Sequence, residues 1–169
     1  SILNGEVVSL FQGKLEFGPR ALGNRSILAN AADPNAAKFL NDFVKKRKPY
    51  QPFCPSILEE DRKTLFENSF HHKFMAMAFK MKPEYVEKYP CATHIDLTAR
   101  PQFVQEEDNK FLYLLLKEIK KHLGQGIVIN TSYNLHGNTI VNSPKDAVDD
   151  FLNSKISKIF MENYLIKKN

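Results

Sequence analysis

Residues 109–123 carry the clearest periodicity in the chain, and it restricts what the chain can become. Leu112, Leu115, Leu116, Ile119 and Leu123 fall on one side of a helix, while Lys117, Glu118, Lys120 and Lys121 fall on the other. Gly124 supplies the stop, and 126–130 follows as a short apolar strand. Similar short apolar runs recur at 6–11, 25–29, 55–58, 74–79, 101–105 and 159–166, with 90–100 built like a strand or strand edge. Between them lie helical patterns. Asp33-Pro34 opens one whose Ala37, Leu40 and Val44 share a face, 60–66 is a short helix, and 83–89 reads as a surface helix or lid. Ser143-Pro144-Lys145-Asp146 has the capping-box pattern, with Ala147, Phe151 and Leu152 on the buried side of its helix. Strands interleaved with helices predict an α/β (mixed α+β) fold, a mixed sheet flanked by helices in one domain.

Length agrees, since a chain of 169 residues buries roughly 70% of its unfolded surface in a single core. Its apolar runs are far shorter than the ~20 residues a bilayer crossing needs, so no membrane association is expected. Cys54 and Cys91 form no CxxC pattern, and no charged-then-apolar leader opens the sequence. Two reduced thiols in a cytoplasmic protein are the expectation. The charge of +5, from 24 Lys and Arg against 19 Asp and Glu, is too mild to specify a partner. Ile2-Leu3-Asn4-Gly5 reads as the last turn of a helix stopped by Gly, which predicts that the sequence begins inside a larger protein.

The chemistry concentrates in 13–55. Gly18-Pro19-Arg20-Ala21-Leu22-Gly23-Asn24-Arg25-Ser26 sets two guanidiniums in a loop punctuated by Gly and Pro, and Lys45-Lys46-Arg47-Lys48-Pro49-Tyr50-Gln51-Pro52-Phe53 forms a second cationic turn. Glycine lets backbone approach a ligand, and arginine presents a planar fork that matches phosphate or carboxylate oxygens. Together they predict an anion pocket. Thr93, His94, Asp96, Thr98 and Arg100 crowd polar groups into one stretch, and the strand at 126–130 opens into Thr131, Ser132 and Asn134. The end of a buried strand is where open α/β sheets place ligands. His71-His72 has no third ligand at a convincing spacing, so these side chains are expected in solvent and no metal site is assigned. The P-loop, GxGxxG, GxSxG and HExxH motifs are all missing.

Several of these motifs together resemble one family. Residues 13–26, Lys45-x-Arg47 with Pro52-Phe53-Cys54-Pro55, Thr93-His94-Ile95-Asp96 with Thr98-Ala99-Arg100, and Asn130-Thr131-Ser132-Tyr133-Asn134 are similar in order and spacing to the C-terminal domain of the O-carbamoyltransferases that modify nodulation factors and antibiotics. The resemblance covers almost the whole chain. It implies one YrdC-like domain over 1–169 that removes phosphate from carbamoyl phosphate and couples the carbamate to ATP, giving carbamoyl adenylate and pyrophosphate. It further implies a partner, an N-terminal Kae1-like domain of the same protein, absent from this chain, which carries the family's iron and passes the carbamoyl group to an acceptor hydroxyl. Complete transfer is expected to need that domain.

By the same resemblance, Arg20, Lys45, Arg100 and Ser132 are the catalytic positions. Arg25, Arg47, His94, Asn130, Thr131 and Asn134 are the accompanying substrate and ATP contacts. Lys45 is expected as a mobile point charge on the transferring group. ATP is the implied nucleotide and Mg²⁺ its accompanying ion, with no carboxylate cluster to form a dedicated metal site. The sequence departs from the family at Gln51, where Arg is usual, and at Lys48, where Glu is usual, so one phosphate contact is expected to be lost. A second reading is a catalytically impaired nucleotide- or RNA-binding module with the same basic cleft, although nucleic acid is not the expected partner. A third is a domain that only completes an interface.

Overall fold

The structure is a computed structural model in which residues 1–48 and 50–168 are described. Pro49, part of the second cationic turn, lies outside the described residues. The strands are β1 (Val8–Phe11), β2 (Arg25–Asn30), β3 (Cys54–Leu58), β4 (Phe79–Lys80), β5 (Thr98–Ala99), β6 (Gln102–Val104), β7 (Ile127–Ser132), β8 (Lys158–Met161) and β9 (Tyr164–Lys167). Seven of them form one sheet in the order β6-β3-β7-β2-β1-β8-β9, while β4 and β5 pair separately. The sheet is mixed: β1–β8 and β3–β6 are parallel, and β1–β2, β2–β7, β3–β7 and β8–β9 are antiparallel. The mixed α/β class expected from the interleaved pattern is therefore the fold observed.

Side chains alternate across the central strands as a period of two requires. Ile27, Ala29, Ile57, Phe103, Ile127 and Ile129 join the core on one face. Leu28, Leu58, Val104 and Val128 face the other, where helix Lys110–Leu123 lays Leu112, Leu116 and Ile119 on them. That helix starts at Asn109, whose side chain accepts from Leu112 N, and stops at a left-handed Gly124. Numbered along the chain, the α-helices are α1 (Pro34–Phe39), α2 (Arg62–Leu65), α3 (Pro83–Val86), α4 (Lys110–Leu123) and α5 (Pro144–Asn153). Asp33 caps α1, and α5 has the full capping box, with Ser143 and Asp146 each accepting the other's backbone N–H. Among the described residues no helix is long and apolar enough to cross a membrane.

Four local expectations are corrected. The run 74–79 is not a core strand: only Phe79 is paired within it, Phe74 and Met77 are exposed, and Met75 is buried with a left-handed φ of 55°. Residues 90–100 form a turn closed by His94 N donating to Thr98 O, with only Thr98–Ala99 in a strand. The strand expected over 159–166 is a hairpin, reversed where Glu162 takes φ 50°. Leu152 faces solvent while Ala147 and Phe151 are buried. Near the start, Ile2–Asn4 is a 3₁₀ turn ended by left-handed Gly5, so the Gly stop is present on a tighter helix than expected.

Candidate anion-binding site

The loop between β1 and β2 carries Arg20, and a carboxylate inside the loop shapes it. Glu16 Oε1 accepts backbone N–H bonds from Leu22 at 2.8 Å, Asn24 at 2.7 Å and Arg25 at 3.1 Å. Glycine is required where the loop meets α4: Gly23 has φ 113°, and a Cβ there would stand 2.8 Å from Leu112 Cδ2. Arg25, expected as a ligand, closes this loop instead. Its guanidinium donates to Gln12 O at 2.7 Å and Gly13 O at 3.0 Å, and lies 3.6 Å from the centroid of Phe11. Carbonyl oxygens at the loop base take both of its terminal nitrogens, Nε stays buried without a partner, and Arg25 is not among the residues that line the cavity with Arg20.

The second cationic segment owes its geometry to a change of helix. After α1 the chain widens into a π-helical stretch, Leu40–Lys45, closed by Lys46 at φ 46°. Such wide turns frequently accompany functional sites. Leu40 and Val44 stay buried, and Lys45 is carried inward to the loop after β7. Its Nζ lies 2.6 Å from Ser132 O, 3.1 Å from Ser132 Oγ, 3.1 Å from Asn134 O and 2.9 Å from Asn134 Oδ1. An ammonium has only three hydrogens, so these acceptors share them. Lys45, expected as a mobile charge on the transferring group, is held by these acceptors behind Ser132 and is not part of the cavity lining. Burial, reinforced by Arg47 and opposed by Asp150, brings its pKa down to about 7.

Arg47 turns the other way. Nε donates to Asn41 Oδ1 at 3.2 Å, the guanidinium sits 4.1 Å from the Phe53 centroid, and Nη2 is buried without a partner. Burial lowers its pKa from the usual arginine value, yet arginine keeps its charge in proteins. Arg100 arrives from the turn after β5, and Asn130, Thr131 and Ser132 from the end of β7. These elements enclose a cavity of about 150 Å³ lined by Arg20, Arg47, Arg100, Asn130, Thr131 and Ser132, with Phe53, Cys54 and Met75 among its other walls. No carboxylate lines it, and among the described residues none of the three arginines forms an ion pair.

Not every candidate converges. His94 is outside the lining: Nδ1 is 3.2 Å from Thr98 Oγ1 and Nε2 is buried without a partner. Burial, then Arg100, lowers its pKa against an opposing effect of Asp96. Thr93 donates to Tyr89 O at 3.0 Å. Asn134 braces Lys45 from behind, and Lys48 and Gln51 are exposed and not among the lining residues, although Gln51 precedes Pro52, which is. His71 pairs with Glu59 at 2.9 Å, and His72 accepts from Ala76 N at 3.2 Å. Sequence reasoning missed Met75, hidden in a run that looked like core, and the buried polar pair Ser56 and Gln102. Polar residues at inward-facing positions of apolar strands were the available signal for that pair.

Comparison with known proteins gives a consistent result. The family model described as carbamoyltransferase C-terminus matches residues 1–168. An uncharacterized protein of Methanocaldococcus jannaschii is 57% identical over 99% of this chain and 27% of its own length. Nodulation protein NolNO of Sinorhizobium fredii is 39% identical over 99% of this chain and 25% of its own. The 3'-hydroxymethylcephem-O-carbamoyltransferase of Streptomyces clavuligerus is 37% identical over 85% of this chain and 27% of its own. The chain thus spans about a quarter of the length of these relatives. A solved structure of full-length HypF in the phosphate- and nucleotide-bound form shares the fold, with a TM-score of 0.67 at 20% identity over 99% of this chain and 24% of that one.

Proposed function

The chain belongs to the carbamoyltransferase C-terminal family, and from that premise we propose that it is the carbamoyl-activating domain of an ATP-dependent O-carbamoyltransferase, converting carbamoyl phosphate and ATP into carbamoyl adenylate. The observation that carries this reading is the meeting of three unpaired guanidiniums at one small cavity without a carboxylate. Cations gathered without compensation are costly, and an anion with several oxygens relieves that cost. The cavity is smaller than the ~300–1,000 Å³ of a drug-sized ligand site. It suits a phosphorylated small acid, with the adenosine of ATP lying outside it.

In the proposed reaction, water attacks the phosphorus of carbamoyl phosphate and the bond from phosphorus to the bridging oxygen breaks. Carbamate leaves, and both protons of the water stay on the phosphate. A carbamate oxygen then attacks the α-phosphorus of ATP, the bond to pyrophosphate breaks, and carbamoyl adenylate forms. Catalysis of such transfers is mainly positioning and electrostatic stabilisation. Arg20, Arg47 and Arg100 would hold the equatorial oxygens, and Thr131 and Ser132 add hydroxyl groups. Lys45 contributes positive potential through Ser132 from a fixed position. With no carboxylate in the lining, Mg²⁺ would be held by the nucleotide's phosphates. Transfer to an acceptor hydroxyl is assigned to the Kae1-like domain, which would also hold the iron. Phe17, Tyr50 and Ile95, exposed on or beside the lining segments, offer that domain apolar contacts.

Calorimetric titration with ATP, with and without carbamoyl phosphate and Mg²⁺, tests the reading alongside carbamoyl-phosphate-dependent exchange of pyrophosphate into ATP. Saturable binding in the wild type, lost in Arg20→Ala and Arg47→Ala, is the expected result. Folded protein that binds neither ligand would defeat the proposal. Binding to RNA that weakens steeply with salt, without a response to carbamoyl phosphate, would favour the nucleic-acid module instead.

A further inference from the structure

Asn130 has an orientation dictated by groups that never touch the cavity. The Leu22 carbonyl can only accept, so the end of Gln102 that reaches it must be Nε2, at 2.8 Å. Gln102 Oε1 is thereby directed to Ser56, whose Oγ donates to it at 2.6 Å. Having used its single hydrogen, Ser56 can only accept from Asn130, and Asn130 Nδ2 stands 2.8 Å from Oγ and 3.3 Å from Gln102 Oε1. Reversing the Asn130 amide would set one acceptor against another. Ser56 is 0% exposed, and Gln102 and Asn130 are 2% exposed, so water cannot easily relieve such a conflict. Asn130 Oδ1 is the atom left over, buried and without a partner on a residue that lines the cavity.

An acceptor without a donor, on a residue that shares the cavity lining with three arginines and two hydroxyl residues, is unsuited to phosphate, whose dianion only accepts. It suits a ligand that brings a hydrogen-bond donor together with its phosphate. We propose that Asn130 is a specificity-determining residue whose Oδ1 accepts from the NH₂ of the carbamoyl group, and that Gln102 is the positioning residue that aims it. The inference rests on the carbamoyl phosphate reading above. Its chemical consequence is discrimination against acyl phosphates that carry methyl in place of NH₂.

Phosphonoacetamide and 2-oxopropylphosphonate are methylene-bridged stand-ins that differ only in NH₂ against CH₃ and do not hydrolyse. Calorimetry should show the wild type preferring the amide by about tenfold or more, as expected for one buried hydrogen bond. The preference should collapse toward unity in Asn130→Ala. It should fall severalfold in Gln102→Leu, which leaves Asn130 free to turn over, while a thermal melt confirms folding. If Asn130→Ala does not fold, the wild-type ratio and Gln102→Leu decide the matter. Equal binding of the two analogues by the wild type overturns the assignment and leaves the anion site standing, as does a preference that survives in every folded variant. Failure of the folded wild type to bind either analogue or inorganic phosphate removes the carbamoyl phosphate reading, and this inference with it.

Discussion

One face of the sheet has two ends that follow different rules. Beneath α4, Leu28, Leu58, Val104 and Val128 pack on Leu112, Leu116 and Ile119. Two residues along the same strands, and so on the same face, stand Ser26, Ser56, Gln102 and Asn130, which are just as deeply buried. At the first end burial itself is the stabilising contribution. At the second, each polar group needs a partner, and the chain supplies most of them through the relay from Leu22 to Asn130. Of that end's side chains Asn130 keeps an oxygen, Oδ1, without a partner, and Asn130 lines the cavity; Ser9 Oγ, Glu16 Oε2, Arg25 Nε and His94 Nε2 are likewise unmet but lie outside the lining. Equal burial is therefore met by close packing at one end and by a hydrogen-bond relay at the other, where the proposed recognition would take place.

The sharpest way to break this contrast is Leu116→Ala beneath α4. It should cost about 2–5 kcal/mol in urea unfolding while the protein that remains folded still binds anions; a loss well under ~1 kcal/mol would show that this end is not a close-packed core. Glu16→Ala comes next. Removing the acceptor of three backbone N–H groups should cost about 1–3 kcal/mol and weaken anion binding through Arg20, with Glu16→Gln recovering part of both.

Lys45 provides a pH test. Its folded pKa of about 7 lies below the ordinary 10.5, so its charge is present at pH 6 and lost as pH rises through 7. Affinity for sulfate, which stays dianionic, should drop roughly tenfold between pH 6 and 8, and Lys45→Met should flatten that profile. Stability moves the opposite way. Between about 7 and 10.5 the unfolded chain holds the additional proton, so this group makes stability rise with pH across that window and contributes no slope below it. The smallest effect is expected for Arg47→Met. It removes a buried unpaired donor but also the bond to Asn41 and the contact with Phe53, so stability should change by no more than ~1 kcal/mol, while sulfate binding weakens. A clear loss of stability would make Arg47 a structural residue.

Where local chemistry decides, the sequence could be read directly. Helix α4 with its Asn109 and Gly124 ends, the capping box of α5 and the Asp33-Pro34 start of α1 all appear as expected, because period, cap and stop lie within a few residues of each other. The run 74–79 failed for the opposite reason. Its bulky and small residues alternate as in a strand, yet only Phe79 finds a partner strand, and the backbone instead turns at Met75 to wall the cavity. Residues 159–166 likewise hide a reversal, since nothing but the pairing of β8 with β9 reveals that Glu162 is a turn.

The site divides along the same line. By itself, the sequence determined which cations are available, which loops are stiffened by Gly and Pro, and that a buried strand ends in Asn130, Thr131 and Ser132. Only the tertiary structure decided that Arg20, Arg47 and Arg100 meet at one cavity, that Arg25 is claimed by carbonyl groups, that Lys45 is fixed behind Ser132, and which way the Asn130 amide faces. Period and caps act over one or two turns of chain. The use of a guanidinium or an amide is settled by the acceptors that reach it first, and here those come from strands and loops far apart in sequence.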